Sequence, residues 1–149
     1  MADAPVAPHR ATPNITNGDA AAQLTELLQG RLPGLLGVRV LTADAARVTA
    51  EMEVREELLA PNGYLHAATV VALADTACGL GVRLGLPGRA DRFTTIELKT
   101  NFLATARAGL IRTEATLVHG GRRTQVWDAA VSDGSGKTMA LFRCTQLIL

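Results

Sequence analysis

A single long apolar segment, from Ala67 to Leu84, most constrains how this chain can fold. Asp75 and Arg83 are its only charged residues, and alanine, leucine and valine predominate. The composition predicts a helix that ends in the Gly85–Gly88 loop. A carboxylate in such a helix has to be paired, solvated in a cleft or held at a raised pKa. The turn before the helix delivers His66 to its N-terminus, so the segment predicts part of an active site.

Residues on both sides of this helix alternate in polarity, as half-buried strands do. The alternating segments are 37–41, 46–54, 93–103, 110–118, 124–131 and 137–147. Short turns rich in glycine separate the later segments, which is typical of consecutive antiparallel strands. A short helix is predicted from Asp19 to about Gln29, and Gly30 and Pro33 are expected to end it. The expected fold class is α+β, with the long helix buried against an antiparallel sheet.

Length and composition limit the classes of function. The 149 residues suffice for one domain, expected at 18–149 after a disordered or surface-draped tail at 1–17. A net charge of +1 and 3% aromatic residues argue against nucleic-acid binding. No apolar run approaches the ~20 residues that span a bilayer. Cys78 and Cys144 fit no metal motif and are expected to be buried thiols in a reducing cytosol.

The segment from Pro61 to Gly79 resembles a motif of the hotdog acyl-CoA thioesterases. The match is to the phenylacetic-acid-degradation type, a family with a hydroxybenzoyl-CoA thioesterase branch. Its pattern is Asn-x-x-Gly-x-x-His-Gly-Gly, with an acidic residue nine positions after the histidine. Here the motif is Ala60-Pro-Asn-Gly63-Tyr-Leu-His66-Ala-Ala68, and Asp75 is nine positions after His66. The resemblance covers most of residues 20–149. It implies a hotdog fold, in which a sheet wraps around one long helix, and acyl-CoA hydrolysis without metal or cofactor.

The resemblance also implies roles for individual residues. Asp75 would act as general base or attack the thioester directly, and the sequence leaves both routes open. The N–H of Ala67 would stabilise the oxyanion, and Thr95 would hold the water. His66 and Gly63 would shape the entrance to the helix. For His66 and Thr95, the alternatives are a histidine that only holds the turn and an ordinary strand threonine.

One departure and several arginines complete the candidate substrate site. The family has Asn or Gln where this chain has Ala60, and Asn62 is the candidate to compensate. Four arginines are candidates to bind the phosphates of coenzyme A, or are simply solvated: Arg89, Arg92, Arg122 and Arg123. Ala60 favours the alternative function, a non-catalytic acyl-CoA binding module on the same fold. Asp75 argues against it, since a binder gains nothing from a desolvated carboxylate.

Helix geometry leaves two alternatives for Ala67 and Asp75: the two groups do unrelated work, or the site combines two copies of the chain. The nine residues from His66 to Asp75 span about 13 Å along a helix and about half a turn around it. One helix therefore cannot bring the Ala67 N–H and the Asp75 carboxylate to the same reacting atom. The resemblance implies a dimer in which Asp75 of one subunit faces Ala67 of the other, with a tetramer as a further possibility.

Overall fold

The structure, a computed structural model, describes residues 20–86 and 92–149. Helices α1 (Ala20–Leu28) and α2 (Leu32–Leu36) precede strands β1 (Arg39–Ala43) and β2 (Arg47–Val54). A 3-10 turn, Glu56–Leu58, leads to the long helix α3 (Ala67–Leu84). The remaining strands are β3 (Phe93–Phe102), β4 (Gly109–Gly120), β5 (Thr124–Asp133) and β6 (Thr138–Ile148). All pairs are antiparallel, in the order β1-β2-β4-β5-β6-β3. The predicted α+β architecture is confirmed.

The predicted elements agree with the observed ones to within about two residues, except at α2. Helix α1 ends at Leu28, before Gly30 and Pro33, as predicted, but the short helix α2 was not predicted. Pro33 lies in the first turn of α2. An N–H in the first turn of a helix has no intrahelical acceptor, so proline loses no hydrogen bond there. Its ring also fixes φ near the helical value. The predicted tail, residues 1–17, lies outside the described residues.

Helix α3 is the centre of the core. Contrary to the expectation from the sequence, α3 is long and apolar enough to cross a bilayer by length and composition, but ten of its 18 residues are buried in the fold. It packs mainly over β2, β4 and β5, and less over β3. Each fully buried Leu- or Val-sized side chain contributes about 1.5–3 kcal/mol. This burial makes α3 the helix around which the sheet folds.

The closest approach of α3 to the sheet is at Gly81. Trp127 of β5 is completely buried beneath it. A Cβ atom at position 81 would lie 2.1 Å from the Trp127 ring, well inside van der Waals contact. The absent side chain therefore sets the distance between helix and sheet. Gly79, one turn from Asp75, is less restricted, because a Cβ there would meet only the Phe93 ring at 3.4 Å.

The two edges of the sheet differ in their protection. At β1, helix α1 lies alongside, and the Thr25 hydroxyl accepts a hydrogen bond from the Val40 N–H (2.9 Å). At the other edge β3 pairs only with β6 among the described residues. Ile96, Leu98 and Phe102 of β3 are 54%, 44% and 48% exposed. An unprotected edge strand with exposed apolar side chains is a template for pairing with another strand.

A β-bulge at Ile96 changes which side chains of β3 face α3. Simple alternation places Thr95 on the same face as Glu97, and this prediction is wrong. The register shifts between Thr95, which pairs with Gln146, and Glu97, which pairs with Thr145. Thr95 consequently shares the inner face with Leu98, which lies opposite the buried Cys144. The bulge thus turns the Thr95 hydroxyl to the face of β3 that packs towards α3.

The contact between α3 and Trp127 predicts opposite effects for two alanine substitutions in one helix. Gly81→Ala forces its new methyl into the Trp127 ring, so we expect a loss of about 1–3 kcal/mol or more in the free energy of unfolding. Gly79→Ala has room for the methyl and gains about 1 kcal/mol of helix propensity, so we expect it to be neutral or stabilising. Urea unfolding of both variants measures the difference.

The double variant Gly81→Ala with Trp127→Leu supplies the control, because the smaller side chain makes room for the methyl. Its loss in the free energy of unfolding should be smaller than the sum of the losses in the two single variants. Equal stability of the Gly79 and Gly81 variants would contradict the proposed packing.

Candidate active site

The turn that precedes α3 is held by backbone hydrogen bonds. The Ala60 N–H donates to the Tyr64 carbonyl (2.7 Å), and the Gly63 N–H donates to the Ala60 carbonyl (2.8 Å). Gly63 has a φ of +79°, a conformation that glycine adopts without steric cost. The Leu65 N–H then donates to the Ala106 carbonyl, which ties the turn to the loop before β4. The start of α3 is therefore fixed in place.

His66 caps α3 and leaves the next N–H free. Its Nδ1 accepts a hydrogen bond from the Ala68 N–H (3.0 Å), so the ring proton of the neutral imidazole is on Nε2. Within residues 20–86 and 92–149 the Ala67 N–H has no acceptor, and both His66 and Ala67 are exposed. An unpaired N–H at the positive end of an 18-residue helix is suited to an oxyanion. The capping bond supports the turn-holding alternative for His66.

Asp75 lies in a network of polar groups between α3 and the strands. The Thr95 hydroxyl donates to Asp75 Oδ1 (3.0 Å), and Gln146 Nε2 lies 3.5 Å from the same oxygen. Gln146 Nε2 also donates to Thr95 Oγ1 (2.9 Å). The structure therefore brings together two of the predicted site residues, Asp75 and Thr95, and adds a third partner.

Burial raises the pKa of the Asp75 carboxyl, and the hydrogen bonds from Thr95 and Gln146 lower it in part. The net shift is upward from the ordinary value of 3.8. Desolvation is the larger effect because most of the surroundings of Asp75 are apolar. A carboxylate with a raised pKa is a stronger base than a solvated one, as general base catalysis requires.

Gln146 was missed in the sequence analysis, although the sequence contains a signal for it. Its side chain is completely buried on β6. Every second residue of β6 around it is also buried, and these residues are Ala140, Phe142, Cys144 and Ile148. A polar residue at a buried position of a strand has to find hydrogen-bond partners. That requirement marks Gln146 as a partner of some other buried polar group, without saying which.

The two cysteines are confirmed as free and buried, and the fold brings them into contact. The Cys78 thiol on α3 donates a hydrogen bond to the Cys144 sulfur on β6. This bond and burial raise the pKa of the Cys78 thiol. Cys78 is therefore protonated at neutral pH and is not a nucleophile.

The remaining predicted residues are spread over other parts of the fold. The Asn62 side chain accepts a hydrogen bond from the Tyr64 N–H (3.2 Å) and so structures the turn. Arg92, Arg122 and Arg123 are exposed together at one end of the sheet, where β4 turns into β5 and β3 begins. The Ile148 N–H donates to the Arg123 carbonyl, and the Leu149 N–H donates to the Arg92 carbonyl. Arg89 lies outside the described residues.

The predicted site residues thus lie in two separate places along α3. Ala67 and His66 are at the N-terminus of α3, and Asp75 and Thr95 are near its middle. A cavity of about 880 Å³ lies on the outer face of the sheet, between strands rather than beside α3. Lys99, Arg112 and Arg143 line it, together with Asp128 and Leu141, and none of the predicted site residues does. It is therefore a polar surface groove away from Asp75.

Comparison with known proteins places this arrangement in a family. Residues 62–140 match the model of the thioesterase superfamily. The chain belongs to the thioesterase superfamily. The match begins in the turn before α3 and extends into β6, so it includes His66, Ala67, Asp75 and Thr95. The predicted recognition and enzyme class, a hotdog thioesterase, are confirmed.

Individual relatives agree with this assignment. The chain is 31% identical over 110 residues to a 1,4-dihydroxy-2-naphthoyl-CoA hydrolase of Listeria monocytogenes, covering 74% of this chain and 89% of that protein. An Escherichia coli hydrolase of the same name is 28% identical over 126 residues, covering 85% of this chain and 92% of that protein. The crystal structure of a mutant thioesterase of Pseudomonas aeruginosa superposes with a TM-score of 0.80 at 29% identity, covering 94% of this chain and 96% of that one.

The raised pKa of Asp75 predicts that the carboxylate lowers the stability of the thioesterase. A carboxyl with a higher pKa in the folded state binds more protons folded than unfolded. The unfolding free energy therefore falls as pH rises from 3.8 through the folded pKa, and stays lower above it. Asp75→Asn removes the charge and keeps an acceptor for Thr95. We expect the variant to be more stable than wild type at pH 7 and the difference to vanish near about pH 4.

Asp128→Asn is the control of opposite sign. The hydrogen bond from Arg143 lowers the pKa of the Asp128 carboxyl, so this ion pair stabilises the fold above the unfolded pKa. Urea unfolding at several pH values should show Asp128→Asn less stable than wild type at pH 7, by a small amount because the pair is exposed. An Asp75→Asn variant that also loses stability at pH 7 would contradict the desolvation of Asp75.

Proposed function

We propose that this protein hydrolyses acyl-CoA thioesters with Asp75 as the catalytic carboxylate and the Ala67 N–H as the oxyanion donor. The observation that carries the proposal is the half-buried Asp75 on the partly exposed face of α3, held by Thr95 and Gln146. Small residues surround it at helical spacing on that face: Ala68, Val71, Ala72, Thr76 and Gly79. They leave space for an acyl group beside the carboxylate.

The chemistry follows from the properties of these groups. In one route Asp75 removes a proton from water, the hydroxide adds to the thioester carbonyl, and the oxyanion accepts from the Ala67 N–H. Collapse of the intermediate breaks the carbon–sulfur bond and releases CoA, which takes up the proton. In the other route Asp75 attacks the carbonyl and expels CoA, and water hydrolyses the mixed anhydride. Thr95 already donates its proton to Asp75, which leaves a lone pair of Oγ1 to accept from the water.

Two copies of the chain are part of this proposal, because each copy carries two separated half-sites. The edge of β3 supplies the place for association. Antiparallel pairing of two β3 strands would continue the sheet and cover Ile96, Leu98 and Phe102. The two α3 helices would then run antiparallel, with the N-terminus of one beside the middle of the other. A dimer built in this way has two complete sites, and pairs of dimers would form the tetramer.

The substrate is an acyl-CoA whose phosphates bind the exposed arginines. Arg92, Arg122 and Arg123 lie at the end of the sheet where α3 ends, and none of them forms an ion pair within the described part of the chain. Two relatives are named as hydrolases of 1,4-dihydroxy-2-naphthoyl-CoA, which makes an aryl thioester the first candidate to test. The two free thiols in contact support a reducing cytosol as the compartment.

Thiol release from a panel of acyl-CoA esters tests the function directly. The panel contains aryl, short-chain and medium-chain esters and includes 1,4-dihydroxy-2-naphthoyl-CoA. We expect Asp75→Asn to lower kcat by about a hundredfold or more, because it removes the base. Ala67→Pro removes the N–H with little change to the backbone, because proline is favoured at the first helical position. The residue before a proline has to be extended, and His66 already is, with a ψ of 133°. We expect Ala67→Pro to lower kcat by about a hundred- to a thousandfold.

Mixing the two variants tests whether the site is shared. A mixed dimer has one doubly defective site and one intact site, made by Asp75 of one chain and Ala67 of the other. With random exchange of subunits, about a quarter of the wild-type activity should return. Ala67→Gly is the control that keeps the N–H and should stay active. No recovery on mixing would contradict a shared site, and acyl-CoA binding without thiol release from wild type would make the protein a binding module.

The arginine cluster predicts a change in KM alone. In the double variant Arg122→Ala with Arg123→Ala, we expect KM for the CoA ester to rise about tenfold while kcat is unchanged, since phosphate contacts lie far from the reacting bond. The KM of wild type should also rise with salt, which screens exposed charges. Lys99→Ala, on the outer face of β3, is the matched control. Unchanged KM in the double variant would remove these arginines from the substrate site.

A further inference from the structure

Gln146 is a buried residue of the site for which the proposed reaction has so far required no role. Its side chain is the third member of the Asp75 network and is 0% exposed. It lies on β6, directly opposite Thr95 of β3 in the strand register. It therefore reaches Asp75 both directly and through the Thr95 hydroxyl.

The distances around Thr95 allow two hydrogen-bonding arrangements. The Thr95 oxygen lies 3.0 Å from Asp75 Oδ1, 2.9 Å from Gln146 Nε2 and 3.1 Å from Gln146 Oε1. A hydroxyl carries one proton, so it donates either to Asp75 or to the amide oxygen, but not to both at once. The primary amide offers a donor and an acceptor to the same hydroxyl.

Each arrangement suits one charge state of Asp75. When Asp75 is ionised, the Gln146 N–H donates to Thr95, and the Thr95 O–H donates to the carboxylate. When Asp75 has taken a proton, its O–H can donate to Thr95, and the Thr95 O–H turns to the amide oxygen of Gln146. Every member of the network keeps a partner in both states, which avoids the large cost of an unpaired buried polar group.

We propose that Gln146 is a positioning residue that lets Asp75 accept and release a proton without leaving a buried polar group unpaired. It acts through Thr95 and through its longer contact with Asp75, and it does not touch the substrate. The inference rests on the proposed function, in which Asp75 gains a proton from water and later gives it up. A carboxylate at position 146 would not serve in this way, because when ionised it offers only acceptors and adds a like charge.

Few other titratable groups bear on this network. The thiol of Cys78 on α3 and the thiol of Cys144 on β6 lie next to it, and Gln146 Nε2 is 3.3 Å from the Cys144 sulfur. Among the described residues, only Thr95 and Gln146 form hydrogen bonds that act on the pKa of Asp75, and no cation does. The amide of Gln146 is therefore the group whose removal should change the titration of the site.

The test is the pH dependence of kcat in Gln146→Met and Gln146→Glu. Met keeps the volume and removes the donor to Thr95 and Asp75, so we expect the acid limb of the profile to move upward by about one pH unit. Glu adds a like charge, so its limb should move further. Below the shifted limb, kcat should fall about tenfold or more, while KM stays within about twofold because Gln146 is away from the ester.

The chain offers a matched control in Gln125. It is a buried glutamine on β5, paired directly with Gln146, but its Oε1 accepts from the Trp127 indole N–H (2.9 Å) and not from the site. Gln125→Met should keep the wild-type pH profile. If Gln146→Met fails to fold, Gln146→Glu provides the measurement, because the Glu side chain has the same length as the native one.

Thr95→Val tests whether Gln146 acts on Asp75 through the Thr95 hydroxyl or only through packing. The contact of Gln146 with Thr95 (2.9 Å) is much shorter than its direct contact with Asp75 (3.5 Å), so adding Gln146→Met to Thr95→Val should shift the acid limb less than Gln146→Met does in wild type. An unshifted limb in Gln146→Met with a uniform loss of kcat, or equal shifts in the Gln125 and Gln146 variants, would overturn the inference. Hydrolysis that survives in Asp75→Asn is a different result and would instead overturn the proposed function.

Discussion

The close packing of α3 onto the sheet is the constraint from which the rest of the structure follows. Gly81 lets the helix approach until its backbone meets the ring of the buried Trp127. At that distance the small and aliphatic residues of α3 fill the space above β2, β4 and β5. The same approach carries Asp75 into surroundings that are mostly apolar. The desolvation that raises its pKa is thus a direct consequence of the core packing.

A buried carboxylate lowers stability unless its hydrogen bonds compensate. The bulge at Ile96 turns Thr95 toward the helix, and β6 supplies Gln146 from the adjacent strand. These two neutral groups stabilise the carboxylate by hydrogen bonds. An arginine or lysine in their place would compensate its charge. The site therefore retains a charge that is available for chemistry and is held in a defined orientation.

In a single chain the two candidate groups of the proposed site are far apart. The free N–H of Ala67 and the carboxylate of Asp75 are both accessible from outside, and they lie on one helix that cannot bend to bring them together. The same chain protects the β1 edge with α1 and leaves the β3 edge open among the described residues. Both features have one explanation if the open edge is where a second copy of the chain contributes the missing half.

The sequence by itself determined the architecture. Alternation located the strands, and the apolar segment located α3, because the repeats of strands and helices are set locally. The resemblance to the family identified Asp75, Thr95 and the N-terminus of α3 as candidate groups. The tail and Arg89 lie outside the described residues, so the predictions made for them stay predictions.

Only the tertiary structure decided how these groups interact. The helix α2 at Pro33 and the bulge at Ile96 were not predicted, because their backbone geometry depends on neighbouring elements. Gln146 was a polar residue at a buried position of β6 until the sheet register placed it opposite Thr95. Likewise, Cys78 and Cys144 are far apart in the sequence and touch only because α3 lies over β6. Contacts between strands that are distant in sequence set the hydrogen bonds and desolvation of Asp75, and no local pattern contains them.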